Sequence, residues 1–402
     1  MLQRATKLTF TWDLLAEVSI FILLTSFAFG MRHFNSLFVW IFFFYGCYKF
    51  SSREPLLSHT PINMAIAVFA LSLFLPSIIR IGVHDTWMEG KKIVYSILLY
   101  CVLVDMMSRR RNFFQRISIY LVIVGSVLSV YSFLQAAHYL PSWMPHVMHL
   151  GRPSATFENI NLFGLFLVAV IPMAFFWVCN LSSYGKFSAL LALFLLVSSL
   201  VLTGNRSSML GGIVFFVYVA VVQKRLKYLL LICGALLIIF PLVNFYHPVT
   251  GRFSELALSG GVHDRMGTWK RTWGMIRERP VLGYGIHTFF EASKGYAKKH
   301  NLQPEENHFP HFVLLEIWQA SGIFALLSFL YLLYVYVMSL LPYARKSELI
   351  HVLVGTEIAL FVSASVNVGL LSRYYGFLFW FFSGLLFGIV GLLRQKESIT
   401  FS

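Results

Sequence analysis

The sequence predicts an all-α integral membrane protein with about twelve transmembrane helices. Apolar residues make up 58% of the 402 residues and charged residues only 12%, whereas a soluble domain carries roughly 25% charge. Apolar runs of about 18 residues or more recur along the chain, and each is long enough to cross a bilayer as a helix. Aromatic residues reach 17%, as expected for side chains that face lipid and the membrane interface.

The apolar runs locate the helices, which we expect to form a single polytopic domain over residues 1–402. The longest polar segment is 247–311, and we predict that it is a large, partly helical loop between the ninth and tenth helices. The predicted helices are 13–30, 36–49, 62–81, 93–107, 113–136, 160–181, 188–204, 209–223, 228–246, 312–341, 350–371 and 376–393.

The distribution of basic residues predicts the orientation, because loops rich in Lys and Arg stay in the cytoplasm. With the N-terminus in the cytoplasm, the cytoplasmic segments hold sixteen of the 32 Lys and Arg residues and the short outer loops hold seven. The other nine lie in the 247–311 loop, which is long enough to escape the rule. We therefore expect both termini in the cytoplasm and this loop on the outer side.

Several kinds of chemistry are excluded by the sequence. The net charge of +15 is not carried by a soluble basic domain, so we expect membrane lipids rather than nucleic acid as partners. No paired carboxylates of the Asp-x-Asp kind are present to hold Mg²⁺ or Mn²⁺. A Cys/His zinc spacing, a P-loop and a Gly-x-Ser-x-Gly motif are absent as well. The sequence therefore predicts neither a metal nor a cofactor.

The outer loop contains a helical pattern with an arginine above aromatic side chains. Arg265, Trp269, Trp273 and Ile276 recur at helical spacing within a predicted helix over 264–279, which Pro280 ends. This face suits the membrane surface, with the arginine at the level of the headgroup phosphates.

Basic and titratable residues also mark the outer ends of the predicted helices. Arg206 lies in a very tight turn over 203–208, where an arginine either snorkels to the interface or meets an anion. His308 and His311 directly precede the helix over 312–341, and His311 is either a proton acceptor or a helix cap. Glu316, just over one turn further on, is either an orienting partner for the histidine or a buried carboxyl.

Four segments follow one another on this outer side: RPSATFENINLFG at 152–164, TGNRSSMLG at 203–211, Arg265-x3-Trp269 with PVLGYG at 280–285, and His311 eleven residues before Gly322. In this order they resemble the motifs of the O-antigen ligase and polymerase superfamily. The resemblance covers about residues 150–325. The sequence departs from the ligases at Asn205, which replaces a serine, and at Phe312, where they carry Asn, Ser or Gln.

The resemblance implies a glycosyltransferase of the bacterial inner membrane, with a fold similar to the GT-C-like membrane glycosyltransferases and a periplasmic active site. The implied donor is O-antigen polysaccharide linked to undecaprenyl diphosphate, and the implied acceptor is lipid A–core in lipopolysaccharide biosynthesis. The implied reaction is metal-independent and inverts the anomeric carbon. Carried over by motif, His311 is the catalytic base, and Arg206, Arg265 and Arg152 bind the donor diphosphate. We also predict supporting roles for His308, Glu316, Asn161 and Trp269.

Other functions remain open at this point. An O-antigen polymerase uses the same donor but takes a second lipid-linked glycan as acceptor, and the spacing around His311 favours the ligase modestly. A polyprenyl-glycan flippase or transporter predicts a charged path through the bilayer and an internal repeat, and the sequence shows neither. A membrane scaffold without catalysis leaves the clustered outer Arg and His residues unexplained.

Overall fold

The computed structural model is a bundle of helices with one two-stranded hairpin among the residues that it describes. The described residues are 2–30, 34–55, 58–81, 83–110, 112–141, 148–149, 152–224, 261–303, 309–344, 346–365 and 369–400.

The described residues in the first half of the chain form eight helices, with the hairpin between the fifth and the sixth. They are α1 (Leu2–Ala28), α2 (Phe34–Ser52), α3 (Asn63–Ile81), α4 (Val83–Arg109), α5 (Phe113–Ala136), α6 (Ile160–Asn180), α7 (Ser183–Thr203) and α8 (Arg206–Val222). The hairpin, between α5 and α6, pairs β1 (Met148–His149) with β2 (Arg152–Pro153) in antiparallel fashion.

The second half adds two helices of the predicted outer loop and three long apolar helices. They are α9 (Gly261–Glu278), α10 (Phe289–Lys299), α11 (Val313–Leu340), α12 (Glu348–Ser365) and α13 (Arg373–Thr400), with a short 3₁₀ turn at Leu341–Tyr343. The predicted helix over 228–246 lies outside the described residues.

In the described part of the chain, seven helices are long and apolar enough to cross a membrane. The predicted all-helical fold is therefore confirmed and is consistent with a membrane protein, while the count of twelve spans and the GT-C-like fold stay predictions. The seven segments are Thr11–Ala28, Phe113–Ala136, Ile160–Asn180, Ser183–Thr203, Val313–Tyr343, Glu348–Ser365 and Tyr374–Gln395.

Two helices that are apolar on all sides lie at the centre of the bundle. Nearly all of α6 from Ile160 to Phe175 is buried, as is α13 from Phe377 to Val390, which is typical of a helix with no polar face. Small residues let α13 approach α4 closely, since a Cβ on Gly384 or Gly388 would lie 2.8 Å or 2.3 Å from side-chain atoms of α4. Helix α6 packs against α7 and α12.

The end of the bundle that carries Lys49, called here the Lys49 end, is held by ion pairs between helices. Lys49 of α2 lies 2.7 Å from Asp105 of α4, and Arg109 of α4 lies 2.8 Å from Asp13 of α1. These groups are largely buried, and removing one partner of such a pair typically costs about 3–5 kcal/mol. The charges that predicted the cytoplasmic side are therefore also structural links between α1, α2 and α4.

Candidate active site

The predicted tight turn between α7 and α8 presents Arg206 at a helix N-terminus. Gly204 ends α7 in the left-handed conformation, with φ of 59°, which suits a residue without a side chain. Asn205 caps α8: its side-chain oxygen accepts hydrogen bonds from the backbone N–H of Ser208 and the hydroxyl of Ser207. Arg206 is the first residue of α8 and its side chain is exposed. Its charge therefore adds to the positive end of the helix dipole.

Arg152 fixes this turn from the hairpin. Its guanidinium donates to the carbonyl oxygens of Thr203 and Gly204, each at 3.2 Å, and only 9% of the residue is exposed. A cation at these positions satisfies the last carbonyls of α7 and complements the negative end of its dipole. The structure thus brings Arg152 to the turn that carries Arg206, where it supports the backbone. A direct contact between Arg152 and a donor stays a prediction.

Asn161 joins the start of α6 to the same turn. Its side-chain oxygen accepts a hydrogen bond at 3.2 Å from the amide of Asn205, which also donates to the carbonyl of Ile160. The two helices approach closely because Gly164 has no side chain: a Cβ there would lie 2.8 Å from the Asn205 amide nitrogen. The predicted supporting role of Asn161 is therefore compatible with its place, as a fixed neighbour of Arg206.

Arg265 of α9 lies close enough to Arg206 for their charges to interact. Burial lowers the pKa of Arg265, and the charge of Arg206 lowers it further. No carboxylate in the described part of the chain forms an ion pair with Arg265, although its side chain is half-buried. Two neighbouring guanidinium groups repel each other, and an anion between them removes the repulsion. This pair of arginines is the main electrostatic feature of the site.

Trp269 connects Arg265 to His311. Trp269 follows Arg265 by one helical turn. The indole N–H of Trp269 donates a hydrogen bond to the carbonyl oxygen of Pro310 at 3.0 Å, and the Trp269 ring lies 5.8 Å from the Phe312 ring. His311 therefore lies between two residues that contact Trp269. The end of the bundle that carries Arg206, called here the Arg206 end, brings together Arg206, Arg265 and His311.

His311 lies two residues before the first residue of α11, in agreement with its predicted place directly before this helix. The helix begins at Val313 with Phe312 as its N-cap, and His311 has a left-handed backbone with φ of 55°. Such a conformation costs a residue with a side chain roughly 1–2 kcal/mol, and it persists where the surroundings hold it. The Trp269 bond to Pro310 and the Phe309 ring, 4.7 Å from the imidazole, provide that support.

The predicted aromatic face of α9 does not point to the membrane as a unit. Ile276 is buried, Trp269 bonds to Pro310, and Trp273 is exposed beside Trp318 of α11. The helix also starts at Gly261, earlier than predicted. Packing of α9 against α11 accounts for the difference, because one side of the predicted face is covered by the neighbouring helix.

The turn over 280–285 packs against α11 at the point where that helix is interrupted and forms hydrogen bonds with its backbone. Gly322 has φ of 82° and ψ of −177° inside α11, and a Cβ there would lie 1.8 Å from the carbonyl oxygen of Val281. The break frees backbone groups that the turn then satisfies. Three hydrogen bonds cross the contact: Ile323 N to Pro280 O at 2.9 Å, Tyr284 N to Gln319 O at 2.8 Å and Gly285 N to Ala320 O at 2.7 Å.

Glu316 matches the second of the two alternatives that the sequence left open, a buried carboxyl, since only 8% of the residue is exposed. Its carboxylate accepts from the backbone of Leu371 and Leu370 rather than from His311, and a Cβ on Gly369 would lie 2.0 Å from its oxygens. It therefore ties the connection between α12 and α13 to α11. His287, which the sequence did not single out, reaches the same connection: its Nε2 lies 3.1 Å from the carbonyl oxygen of Leu371.

Two further sequence predictions, the role of His308 and metal independence, stay predictions. His308 lies outside the described residues, so its role stays a prediction. Among the His, Cys, Asp and Glu side chains that the structure describes, no group of three or more could hold a metal ion. Metal independence also stays a prediction, to be tested on the active protein.

Comparison with known proteins bears on the motifs directly. Residues 191–330 match the family model described as O-antigen ligase, and among curated proteins none matches the chain. The matched segment includes Arg206, Arg265, His311 and Gly322, whereas Arg152 and Asn161 precede it. The resemblance predicted from the sequence is thereby confirmed over residues 191–330, which are similar to the O-antigen ligase family.

Proposed function

We propose that the protein transfers O-antigen polysaccharide from undecaprenyl diphosphate to lipid A–core, at the periplasmic face of the bacterial inner membrane. The observation that carries this proposal is the pair Arg206 and Arg265, two cations in electrostatic contact with no described carboxylate paired to Arg265. A lipid-linked diphosphate is an anion that lies at the membrane surface and matches this pair. The O-antigen ligase match over 191–330 supports the same assignment.

The two arginines bind the diphosphate and stabilise the charge that develops on it. As the bond between the anomeric carbon and the diphosphate oxygen breaks, negative charge grows on the leaving group. A planar guanidinium donates two parallel hydrogen bonds to phosphate oxygens, and removing one such preorganised donor typically costs roughly 3–4 kcal/mol in the transition state. In this mechanism arginines do the work that a metal ion does in other glycosyltransferases.

His311 accepts the proton of the attacking acceptor hydroxyl. The hydroxyl oxygen forms the new bond to the anomeric carbon on the face opposite the leaving diphosphate, so the configuration is inverted. An imidazole titrates near neutral pH and suits this proton transfer. Because Trp269 holds the carbonyl of Pro310, the arginine that binds the donor and the base that activates the acceptor are positioned by one helix, α9.

The membrane arrangement forms part of the proposal. We place about twelve spans in one domain, with both termini in the cytoplasm and 247–311 as a periplasmic loop. The ion-paired Lys49 end supports this arrangement as the cytoplasmic side. Reporter fusions at His300 and Ser402 test it: they should report periplasm and cytoplasm, and the reverse pattern overturns the proposal.

Lipopolysaccharide electrophoresis of a deletion strain tests the reaction. If the protein is a ligase, its deletion leaves bare core, and polymerised O-antigen accumulates on its lipid carrier. If it is a polymerase, its deletion leaves core that carries a single repeat unit. Complementation with wild type should restore long chains, and complementation with Arg265→Ala at equal expression should not. Lys298→Ala serves as the matched control, because Lys298 is an exposed cation of α10 outside the predicted site and should complement fully.

A further inference from the structure

Helix α9 presents a second polar surface, distinct from the side that faces the site. Met266, Lys270, Trp273 and Arg277 follow one another at helical spacing and are all exposed, Met266 by 46% and Trp273 by 41%. These four residues are called here the exposed α9 stripe. The opposite side of the helix is buried against the bundle through Thr268, Thr272, Met275 and Ile276.

The exposed α9 stripe lies beside the first turns of α11, which begins the candidate membrane span Val313–Tyr343. The Trp273 ring meets the Trp318 ring edge-to-face, with centroids 5.4 Å apart. Trp318 follows the start of α11 by five residues, a rise of about 8 Å, and further along the helix Phe324 is 61% exposed. Paired tryptophans just above exposed apolar side chains are typical of the membrane–water interface.

The two cations of the stripe are available for a ligand. The Arg277 guanidinium stacks over the Trp273 ring at 5.7 Å, an arrangement that fixes the group but leaves its N–H donors free. Neither Lys270 nor Arg277 forms an ion pair with any carboxylate that the structure describes. A merely solvated helix face does not explain Met266 and Trp273, whose large apolar surfaces are exposed beside these charges.

We propose that the exposed α9 stripe is a binding surface for the headgroup phosphates of membrane phospholipids. Lys270 and Arg277 donate to the phosphates, while Met266 and Trp273 enter the boundary between headgroups and acyl chains, as in amphipathic helices that lie in a membrane surface. Phosphate is favoured over other anions because the stripe continues into α11 through Trp318. Bound lipid holds α9 at the membrane, and α9 carries Arg265 and Trp269. The proposal does not depend on the proposed reaction.

Native mass spectrometry of the full-length protein tests the proposal by titration with phosphatidylglycerol and with diacylglycerol, which lacks the phosphate. The double variant Lys270→Gln with Arg277→Gln should bind phosphatidylglycerol about thirty-fold more weakly, since each basic side chain contributes about fivefold near an anionic surface. Binding of diacylglycerol should not change. The matched control is Lys294→Gln with Lys298→Gln, which removes two exposed cations of α10 and should bind as wild type.

Each other outcome counts against the proposal. Unchanged phosphatidylglycerol binding in the Lys270 and Arg277 variant overturns it, and so does an equal loss in the α10 control, which indicates a nonspecific charge effect. A third titration uses undecaprenyl diphosphate. If only this lipid binds more weakly, the stripe belongs to the donor path and the phospholipid assignment is wrong. These measurements require no enzyme activity, so failure of the proposed reaction leaves them interpretable.

Discussion

Replacing Gly322 by alanine tests how the 280–285 turn is held on α11. The new Cβ meets the carbonyl oxygen of Val281 at 1.8 Å, a separation that no folded structure tolerates, so the turn must move. The backbone at Gly322 is also left-handed, with φ of 82°. Alanine therefore introduces two costs at one position, strain in its own backbone and displacement of the turn.

The structure gives the size of the effect. A left-handed backbone costs a residue with a Cβ about 1–2 kcal/mol. Displacing the turn breaks between one and three of the hydrogen bonds that cross the contact, each with a net value of about 1 kcal/mol. The expected loss is therefore about 2–5 kcal/mol. Because the turn follows α9 directly, we also expect Gly322→Ala to lower glycan transfer by displacing Arg265.

Two measurements follow this change. The midpoint of thermal unfolding in detergent, at one scan rate, should fall. Hydrogen exchange at the amides of Tyr284 and Gly285, which donate to α11, should accelerate by at least about thirty-fold, the equivalent of 2 kcal/mol. Gly295→Ala is the control: a Cβ there has no neighbour within 4 Å, and in a helix it should be neutral or stabilising by up to about 1 kcal/mol. A Gly322→Ala protein with wild-type protection at both amides refutes the inference that the close approach at Gly322 holds the 280–285 turn on α11.

The remaining predictions concern the chemistry. Arg206→Ala or Arg265→Ala should slow transfer by roughly 10²–10³-fold, with partial rescue by lysine; normal initial rates at normal protein level contradict the donor site. His311→Asn should lower turnover by roughly 10²–10⁴-fold with donor binding retained, and wild-type turnover shifts the base to another group. Activity should survive excess EDTA; activity lost and restored by Mg²⁺ or Mn²⁺ rules the arginine mechanism out. Hydrogen bonds from His300 and Lys299 hold the pKa of Glu278 below its usual range. The stabilising contribution of Glu278 is therefore present above the unfolded pKa of about 4.3 and is lost as pH falls through the lower folded pKa. Glu278→Gln should remove this pH dependence of the unfolding midpoint.

Helices whose ends coincide with the ends of apolar runs could be located from the sequence. The predicted helix 113–136 is observed at Phe113–Ala136, because polar residues flank the run on both sides. The helix predicted at 93–107 instead begins at Val83, since its first turns are polar and hydropathy detects the membrane-crossing part rather than the whole helix. Helix α10 was not located at all: it has eleven residues, and its apolar residues are too few to form a run.

The contacts between the outer loop and the bundle could not be read from the sequence for a different reason. The break at Gly322 and the turn at 280–285 satisfy each other's backbone groups across some forty residues of chain. The sequence around Gly322 does not require a turn at 280–285, and the sequence of the turn does not require a break at Gly322. A glycine inside an apolar run indicates helix packing as readily as a break in the helix, so only the three-dimensional structure separates the two interpretations.

Hydrogen bonding separates the predicted site residues into two groups with different roles. Arg152, Asn161 and Trp269 use their polar atoms on backbone or neighbouring side chains, and each of these bonds holds a segment adjacent to Arg206 or His311. Such residues act on the reaction through position, so a conservative change that keeps the hydrogen bond should keep activity. Arg206 is exposed, and half-buried Arg265 has no described carboxylate as an ion-pair partner, so both bring positive charge to this end of the bundle. The motif residues therefore belong together for two distinct physical reasons: one group builds the Arg206 end, and the other supplies its charge.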